Sequence, residues 1–411
     1  MPGHKGNPFL GCERWDITEV SGADALYEAE GIIAESEKNA AALFGAAATL
    51  YSAEGSSQCI RTMVHLAAQG RETPWILAGR NAHKAFLYAA ALCDVQVKWL
   101  WPAEASPLCA CPITAQQVEE ELRNVSVLPA AVYITSPDYL GNLQPVAEIA
   151  AVCHRYGVKL LVDNAHGAYL KFLEKSLHPM DLGADMCCDS AHKTLPVLTG
   201  GAYLHFADGA LAAQAKAAMA IYGSTSPSYL IMASLDLCNR YLAEEIRGKL
   251  AAILPETEKT KIALSKQGWT VCGTEPMKIT LRCPGVKIAQ ALREKGMECE
   301  FADPDYLVLM LSAETTAAEL LQLVEVMAQL SPEEGGEPPY FSQPRQVMPI
   351  RQAIFAAQER VPAVEALGRI AAAPTVGCPP AIPVVVSGER IDEAAVALLR
   401  YYGIETVCVT C

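Results

Sequence analysis

Several things are scarce in this chain of 411 residues, and each absence removes a class of function. No run of about 18 apolar residues occurs, the least a membrane-spanning helix needs, although hydrophobic residues make up 51% of the sequence. Basic residues are outnumbered, 32 against 46 acidic ones, for a net charge of −14. A general nucleic-acid binder carries a basic face, so no nucleic-acid partner is expected. Repeats and low-complexity tracts are missing, and a charged fraction of 19% beside so much apolar material excludes global disorder. Met1-Pro2-Gly3-His4-Lys5-Gly6 has no long apolar run behind it, so no secretory signal is read and a cytoplasmic location is expected. The cysteines, by contrast, are many: fifteen, an odd number. In such a compartment they read as reduced, mostly buried thiols. Cys109-x-Cys111 and Cys187-Cys188 lack a second ligand pair at zinc spacing, so no metal site is expected.

What is present is an alternation. Short apolar runs at Thr49–Ala53, Trp75–Ala78, Val95–Trp101, Ala130–Thr135, Lys159–Val162, Asp185–Cys188 and Gly201–Phe206 predict strands. Helix-period segments such as Ala82–Leu92, Thr114–Leu122 and Pro145–Tyr156 separate them. This pattern predicts an α/β domain on a mainly parallel, buried sheet. In such sheets ligands bind beyond the carboxyl ends of the strands. A long helical stretch over Tyr229–Gln267 follows, then strands at Met277–Arg282 and Tyr306–Leu311 with helices Val286–Lys295 and Ala313–Leu330, which read as a smaller α+β region. Residues 331–339 have linker composition. The rest reads as a helix-rich piece with one interrupted strand, Cys378–Glu389. The expected domains are 1–235, 236–335 and 336–411.

Four predicted strand ends carry polar groups. Asp163 closes one apolar run; thirty residues later Lys193 follows another, inside Ser190-Ala191-His192-Lys193-Thr194. A pyridoxal phosphate (PLP) enzyme needs that pairing: an amine for the Schiff base, and a carboxylate to keep the pyridine nitrogen protonated. Asp163 alone reads equally as a helix N-cap or a metal carboxylate. His166 could face the same pocket. Gly55-Ser56-Ser57, before a helix predicted over Gln58–Ala68, could cradle a dianion or form an ordinary turn and cap. His83, in Asn81-Ala82-His83-Lys84, could lie flat on an aromatic cofactor or simply sit near a helix start. Ser190 and His192 could bind a phosphate, and His192 could also donate a proton to substrate. Ser224-Thr225-Ser226 belongs to a hydroxyl-rich turn before a helix.

Together these segments resemble the ornithine/lysine/arginine decarboxylase family, PLP enzymes of aspartate-aminotransferase-like fold. The strings that carry the resemblance are Pro2-Gly3-His4-Lys5-Gly6, Asp16-Ile17-Thr18-Glu19, Arg80-Asn81-Ala82-His83-Lys84, Thr135-Ser136-Pro137-Asp138-Tyr139-Leu140-Gly141, Val162-Asp163-Asn164-Ala165-His166-Gly167-Ala168, Ser190-Ala191-His192-Lys193-Thr194-Leu195-Pro196 and Ser224-Thr225-Ser226-Pro227-Ser228-Tyr229, in the family's order. Cys378-Pro379-Pro380-Ala381-Ile382-Pro383 looks like a degraded copy of a further family element. The resemblance implies a seven-stranded-type PLP large domain, decarboxylation of lysine, arginine or ornithine, and a homodimer with its active site at the interface. It implies Lys193 as the Schiff-base lysine, Asp163 on the pyridine nitrogen and His83 stacked on the ring. Gly55, Ser56, Ser57, Ser190 and His192 would surround the phosphate, with Ser224, Thr225 and Ser226 supplied by the partner chain, and His166 near the ring. The chain resembles the short form, without a receiver-like wing domain. It departs from the family at Asn164, Ala191 and Ala381, where Glu, Thr and Gly are often found. The alternatives are another PLP enzyme of the same fold, an aminotransferase or lyase, and a PLP-binding paralogue without activity.

Overall fold

The computed structural model describes residues 1–102, 106–374 and 382–411. Seven strands form a mainly parallel sheet: β1 (Ala48–Ser52), β2 (Trp75–Gly79), β3 (Gln96–Leu100), β4 (Ala131–Thr135), β5 (Lys159–Asp163), β6 (Met186–Asp189) and β7 (Ala202–Phe206). Each coincides with an apolar run read from the sequence. Four more strands, β8 (Thr270–Cys272), β9 (Lys278–Arg282), β10 (Phe301–Ala302) and β11 (Tyr306–Met310), make a second sheet, and β12 (Gln358–Pro362) and β13 (Thr406–Thr410) a third.

The chain divides into two compact units. The first comprises residues 1–72, 118–136 and 145–248. Its strands run β1-β7-β6-β5-β4. The β4/β5 and β5/β6 pairs are parallel, whereas β7 lies antiparallel to both β6 and β1. Every residue of β6 and β7 is buried, and β5 is buried after Lys159. That is the signature of strands covered on both faces. Helices Ile32–Phe44, Ser56–Ala68, Val146–Arg155, Gly209–Tyr222 and Tyr229–Glu244 belong to this unit. Among the boundaries that differ from the sequence reading, two have a visible cause. The helix expected from Gln58 starts at Ser56, directly after Gly55 at φ +71°, a backbone conformation that side chains disfavour. The long stretch Tyr229–Gln267 is two helices, Tyr229–Glu244 and Ile246–Lys266, interrupted at Glu245 (φ −121°, ψ −41°) rather than at Pro255, which lies inside the second helix.

The second unit comprises residues 73–117, 137–144 and 249–411. It contains the parallel pair β2/β3 with helix Lys84–Leu92, the antiparallel sheet β10-β11-β9-β8 with helices Gly285–Arg293 and Ala317–Met327, and the antiparallel pair β12/β13 with helices Ile350–Phe355 and Glu393–Tyr401. Of the strand expected over Cys378–Glu389, residues 378–381, with the departure at Ala381, lie outside the described residues. The described part forms only isolated bridges, at Glu389 and at Arg390 beyond it. Gly285 shows how tightly this unit packs. A Cβ there would lie 1.8 Å from the Tyr306 carbonyl oxygen and 2.8 Å from that of Asp303. Backbone cannot retreat as a side chain can, so Gly285→Ala is expected to cost about 3 kcal/mol in urea unfolding.

Candidate active site

β5 and β6 are parallel neighbours, with Asp163 opposite Cys188, so their carboxyl ends open together. Asp163 closes β5 and is 3% exposed. Tyr133 Oη donates to its Oδ2 at 3.1 Å, and the Ala165 N–H to its Oδ1 at 3.2 Å. Burial pushes the Asp163 carboxyl above the usual range, and the Lys193 charge pulls it back. Lys193 stands in the short helix Ala191–Thr194 after β6, its Nζ 2.7 Å from His166 Nε2. The structure thus brings together Asp163, His166 and Lys193. An amine and an imidazole at that distance can exchange a proton, beside a buried carboxylate that would gain from an added cation.

The hydroxyls form a second cluster. Ser190 Oγ donates to Ser56 Oγ at 2.8 Å. Ser56 and Ser57 occupy the first turn of their helix, and Gly55 provides no side-chain cap. First-turn N–H groups lack intrahelical acceptors and face an incoming anion, as the helix dipole also favours. The Gly55 N–H is fixed on the Gly200 carbonyl at 2.7 Å. His192 Nδ1 bonds the Gly201 carbonyl at 3.0 Å, which sets its proton on Nδ1. Ser224, Thr225 and Ser226 are exposed; the Ser224 N–H donates to Glu54 Oε1 at 3.3 Å and that of Ser226 to Ser224 Oγ at 3.0 Å. His83 belongs to the second unit, where it caps helix Lys84–Leu92: its Nδ1 accepts the Ala85 N–H at 3.1 Å.

Sequence reasoning missed Tyr133, although a usable signal existed: Tyr133 pairs with Leu161, so Asp163 is its diagonal neighbour on the same face. It also missed a buried group formed by His178, Asp189 and His205. The described cysteines are all free, most of them buried, and burial pushes the Cys187 and Cys188 thiols well above their ordinary range. Such thiols are poor metal ligands.

Residues 6–283 match the model of the Orn/Lys/Arg decarboxylase major domain, and residues 338–407 that of the Orn/Lys/Arg decarboxylase C-terminal domain. The chain belongs to the Orn/Lys/Arg decarboxylase family. An arginine decarboxylase of Halalkalibacterium halodurans is 28% identical over 440 residues, spanning 97% of this chain and 89% of its own. The uncharacterized protein YaaO of Bacillus subtilis is 29% identical over 408 residues, 93% of this chain and 84% of its own. Among solved structures, the Francisella novicida lysine decarboxylase LdcF superposes with a TM-score of 0.83 at 17% identity, covering all of this chain and 78% of that one. At that identity the likeness shows the fold: the α/β architecture with a smaller α+β region expected from the sequence. Family membership makes the chain a PLP-dependent amino-acid decarboxylase. Its residues fit the cofactor. A buried carboxylate short of positive charge suits a pyridinium, and a hydroxyl pair at a helix start suits a phosphate. Among the described residues, no helix is long and apolar enough to cross a membrane.

Proposed function

We propose that the chain decarboxylates a basic amino acid, with arginine ahead of lysine and ornithine, using PLP held at Lys193. The observation that carries this reading is the 2.7 Å contact between Lys193 Nζ and His166 Nε2, with the Lys193 charge reaching the buried Asp163. The preference for arginine rests on the arginine decarboxylases that align over nearly the whole chain. Residues 1–235 would form the PLP-binding large domain, 236–335 the small domain and 336–411 the family's C-terminal piece.

In this reading Lys193 would supply the amine that holds the cofactor, and Asp163 would pair with its pyridine nitrogen. Gly55, Ser56, Ser57, Ser190 and His192 would hold the phosphate. The exposed hydroxyls of Ser224, Thr225 and Ser226 would serve the phosphate of a second copy in a homodimer. Bound there, PLP supplies an electron sink for the pair released when CO₂ leaves. The remaining work belongs to the chain. Asp163, ionised once a cation faces it, fixes that cation in place. Tyr133 and the Ala165 N–H hold the carboxylate in one orientation. His166 takes a proton from Lys193 Nζ, leaving the neutral amine that attacks a carbonyl. That proton, passed back from His166 to Lys193 Nζ, would go to Cα in place of the departed CO₂; His192, carrying a second proton on Nε2, is the alternative donor. Burial of the strand ends keeps water from competing for it.

The test is release of labelled CO₂ from carboxyl-labelled arginine, lysine and ornithine by purified enzyme supplied with PLP. Arginine is expected to lead by about tenfold or more in kcat/KM, since a site that pairs a guanidinium leaves polar groups unmatched by a shorter amine. Release from none of the three, or a colourless protein that takes up no PLP, would end the proposal.

A further inference from the structure

Asp189 ends β6, immediately before the turn that carries Ser190, His192 and Lys193, and neither it nor His178 or His205 has any solvent exposure. Its Oδ2 meets His178 Nε2 at 3.0 Å and His205 Nε2 at 3.2 Å, and its Oδ1 accepts the Asn164 amide at 2.7 Å. The donors can be assigned. The Met180 N–H donates to His178 Nδ1 at 3.3 Å, so Nδ1 is an acceptor and the His178 ring proton sits on Nε2, pointing at Asp189. His205 Nδ1 is paired with Thr49 Oγ1 at 2.8 Å, where the hydroxyl can donate. Two imidazole N–H groups and one amide therefore donate to one carboxylate. A protonated Nε2 offers no lone pair to a metal, so this cluster is a hydrogen-bonded anion rather than a vacant metal site. The electrostatics point the same way: burial opposes the charge on Asp189, yet His178 and His205 hold its carboxyl low, while burial draws the His205 imidazole below its ordinary range.

Asn164 connects this anion to the active site. It follows Asp163 directly, its N–H donates to the Cys188 carbonyl at 3.0 Å, and its side chain fills the space left by Gly167, where a Cβ would lie 2.0 Å from Asn164 Oδ1. We propose that Asp189 is a positioning residue for the decarboxylase: through Asn164 it ties the loop after Asp163 to the turn bearing Lys193, and so sets the cofactor's two anchoring groups against each other. The inference rests on the reading of Asp163 and Lys193 as cofactor-holding residues. It also accounts for the departure at position 164, because a glutamate there would set a second carboxylate against Asp189 with no water to separate them. Asparagine at 164 and aspartate at 189 form a complementary pair.

The test uses apoenzyme titrated with PLP. It reads the PLP dissociation constant, the visible circular dichroism of the bound cofactor and the melting temperature of the apoenzyme. Asp189→Asn and Asn164→Asp should each weaken PLP binding by about tenfold or more and diminish the visible dichroism. The double swap restores one amide facing one acid, since the new amide at 189 still offers an oxygen to both imidazoles. It should return to within about threefold of wild type. If Asp189→Asn does not fold, Asn164→Ala removes the same link without changing charge and should weaken PLP binding likewise. Variants that bind PLP with wild-type affinity and dichroism, even while melting lower, would reduce Asp189 to a structural group and overturn the inference. So would a double swap whose loss equals the sum of the singles. Failure of the parent reading looks different: wild type binding no PLP, or Lys193→Ala binding it with an unchanged spectrum.

Discussion

Replacing Lys193 by alanine is expected to remove the visible absorbance of the covalently held cofactor and to lower decarboxylation by on the order of 10⁴-fold or more, as loss of a covalent participant does. Asp163→Asn should also cost activity, yet it should not cost stability in the absence of cofactor, and this contrast identifies Asp163 as a functional group rather than a structural one. The sign follows from its surroundings. Burial raises the Asp163 carboxyl above its unfolded value, with Lys193 only partly offsetting it. Between about pH 4, where the unfolded group titrates, and the higher folded value, the native state keeps a proton that the unfolded chain releases. Stability of the apoenzyme therefore falls as pH rises through that window. The amide variant carries no such charge. Its apoenzyme should melt at or above wild type at neutral pH, the difference closing near pH 4. Adding PLP should reverse the order, because only the carboxylate gains a facing cation. Melting of both proteins with and without PLP from pH 4 to 8 checks this. An apo Asp163→Asn that melts well below wild type throughout would show that the carboxylate holds the fold together instead.

Why could the sequence reveal Lys193 and Asp163 but not Asp189's role? The first two are visible because they interrupt apolar runs at strand ends, where an α/β sheet presents its ligand. The runs themselves were legible because strands buried on both faces have no polar alternation to blur them, as in Val132–Ile134 and Leu160–Val162. Asp189 also follows an apolar run, but its partners are distant in sequence: Asn164 and His205 reach it only through the pairing of β5, β6 and β7, and His178 comes from a loop with no periodicity. Tyr133 needed the β4/β5 register. The β12 strand, Gln-Glu-Arg-Val-Pro, is exposed at four of its five positions and ends in proline, so neither alternation nor apolarity announced it. Pairing with β13 holds it in place.

Arg80 shows the same limit from the other side, and it supports the second large prediction. It belongs to the Arg80-Asn81-Ala82-His83-Lys84 string, whose sequence reading centred on His83. In the structure Arg80 is 2% exposed and builds a buried knot within the second unit. Its guanidinium meets Glu389 Oε2 at 3.2 Å and donates to the Pro383 and Val384 carbonyls at 3.1 and 3.0 Å. It lies 5.5 Å from the Trp99 ring, 5.1 Å from that of Trp101 and 5.4 Å from that of Phe341. Glu389, itself buried, takes the Val386 N–H at 2.8 Å; burial pushes its carboxyl up and Arg80 draws it back. Removing either partner strands a buried charge, so Arg80→Ala or Glu389→Ala is expected to cost about 3–5 kcal/mol in urea unfolding. Arg80→Lys should recover little, since an ammonium cannot satisfy a carboxylate and two carbonyls in one plane while stacking among three aromatic rings. An apolar pair, Arg80→Met with Glu389→Leu, should recover most of the loss, because the desolvation of both ions disappears with them. If instead the single variants unfold like wild type, the contact contributes no net stability, and the arginine in this string must be retained for what it does to the neighbouring turn at Asn81 and His83.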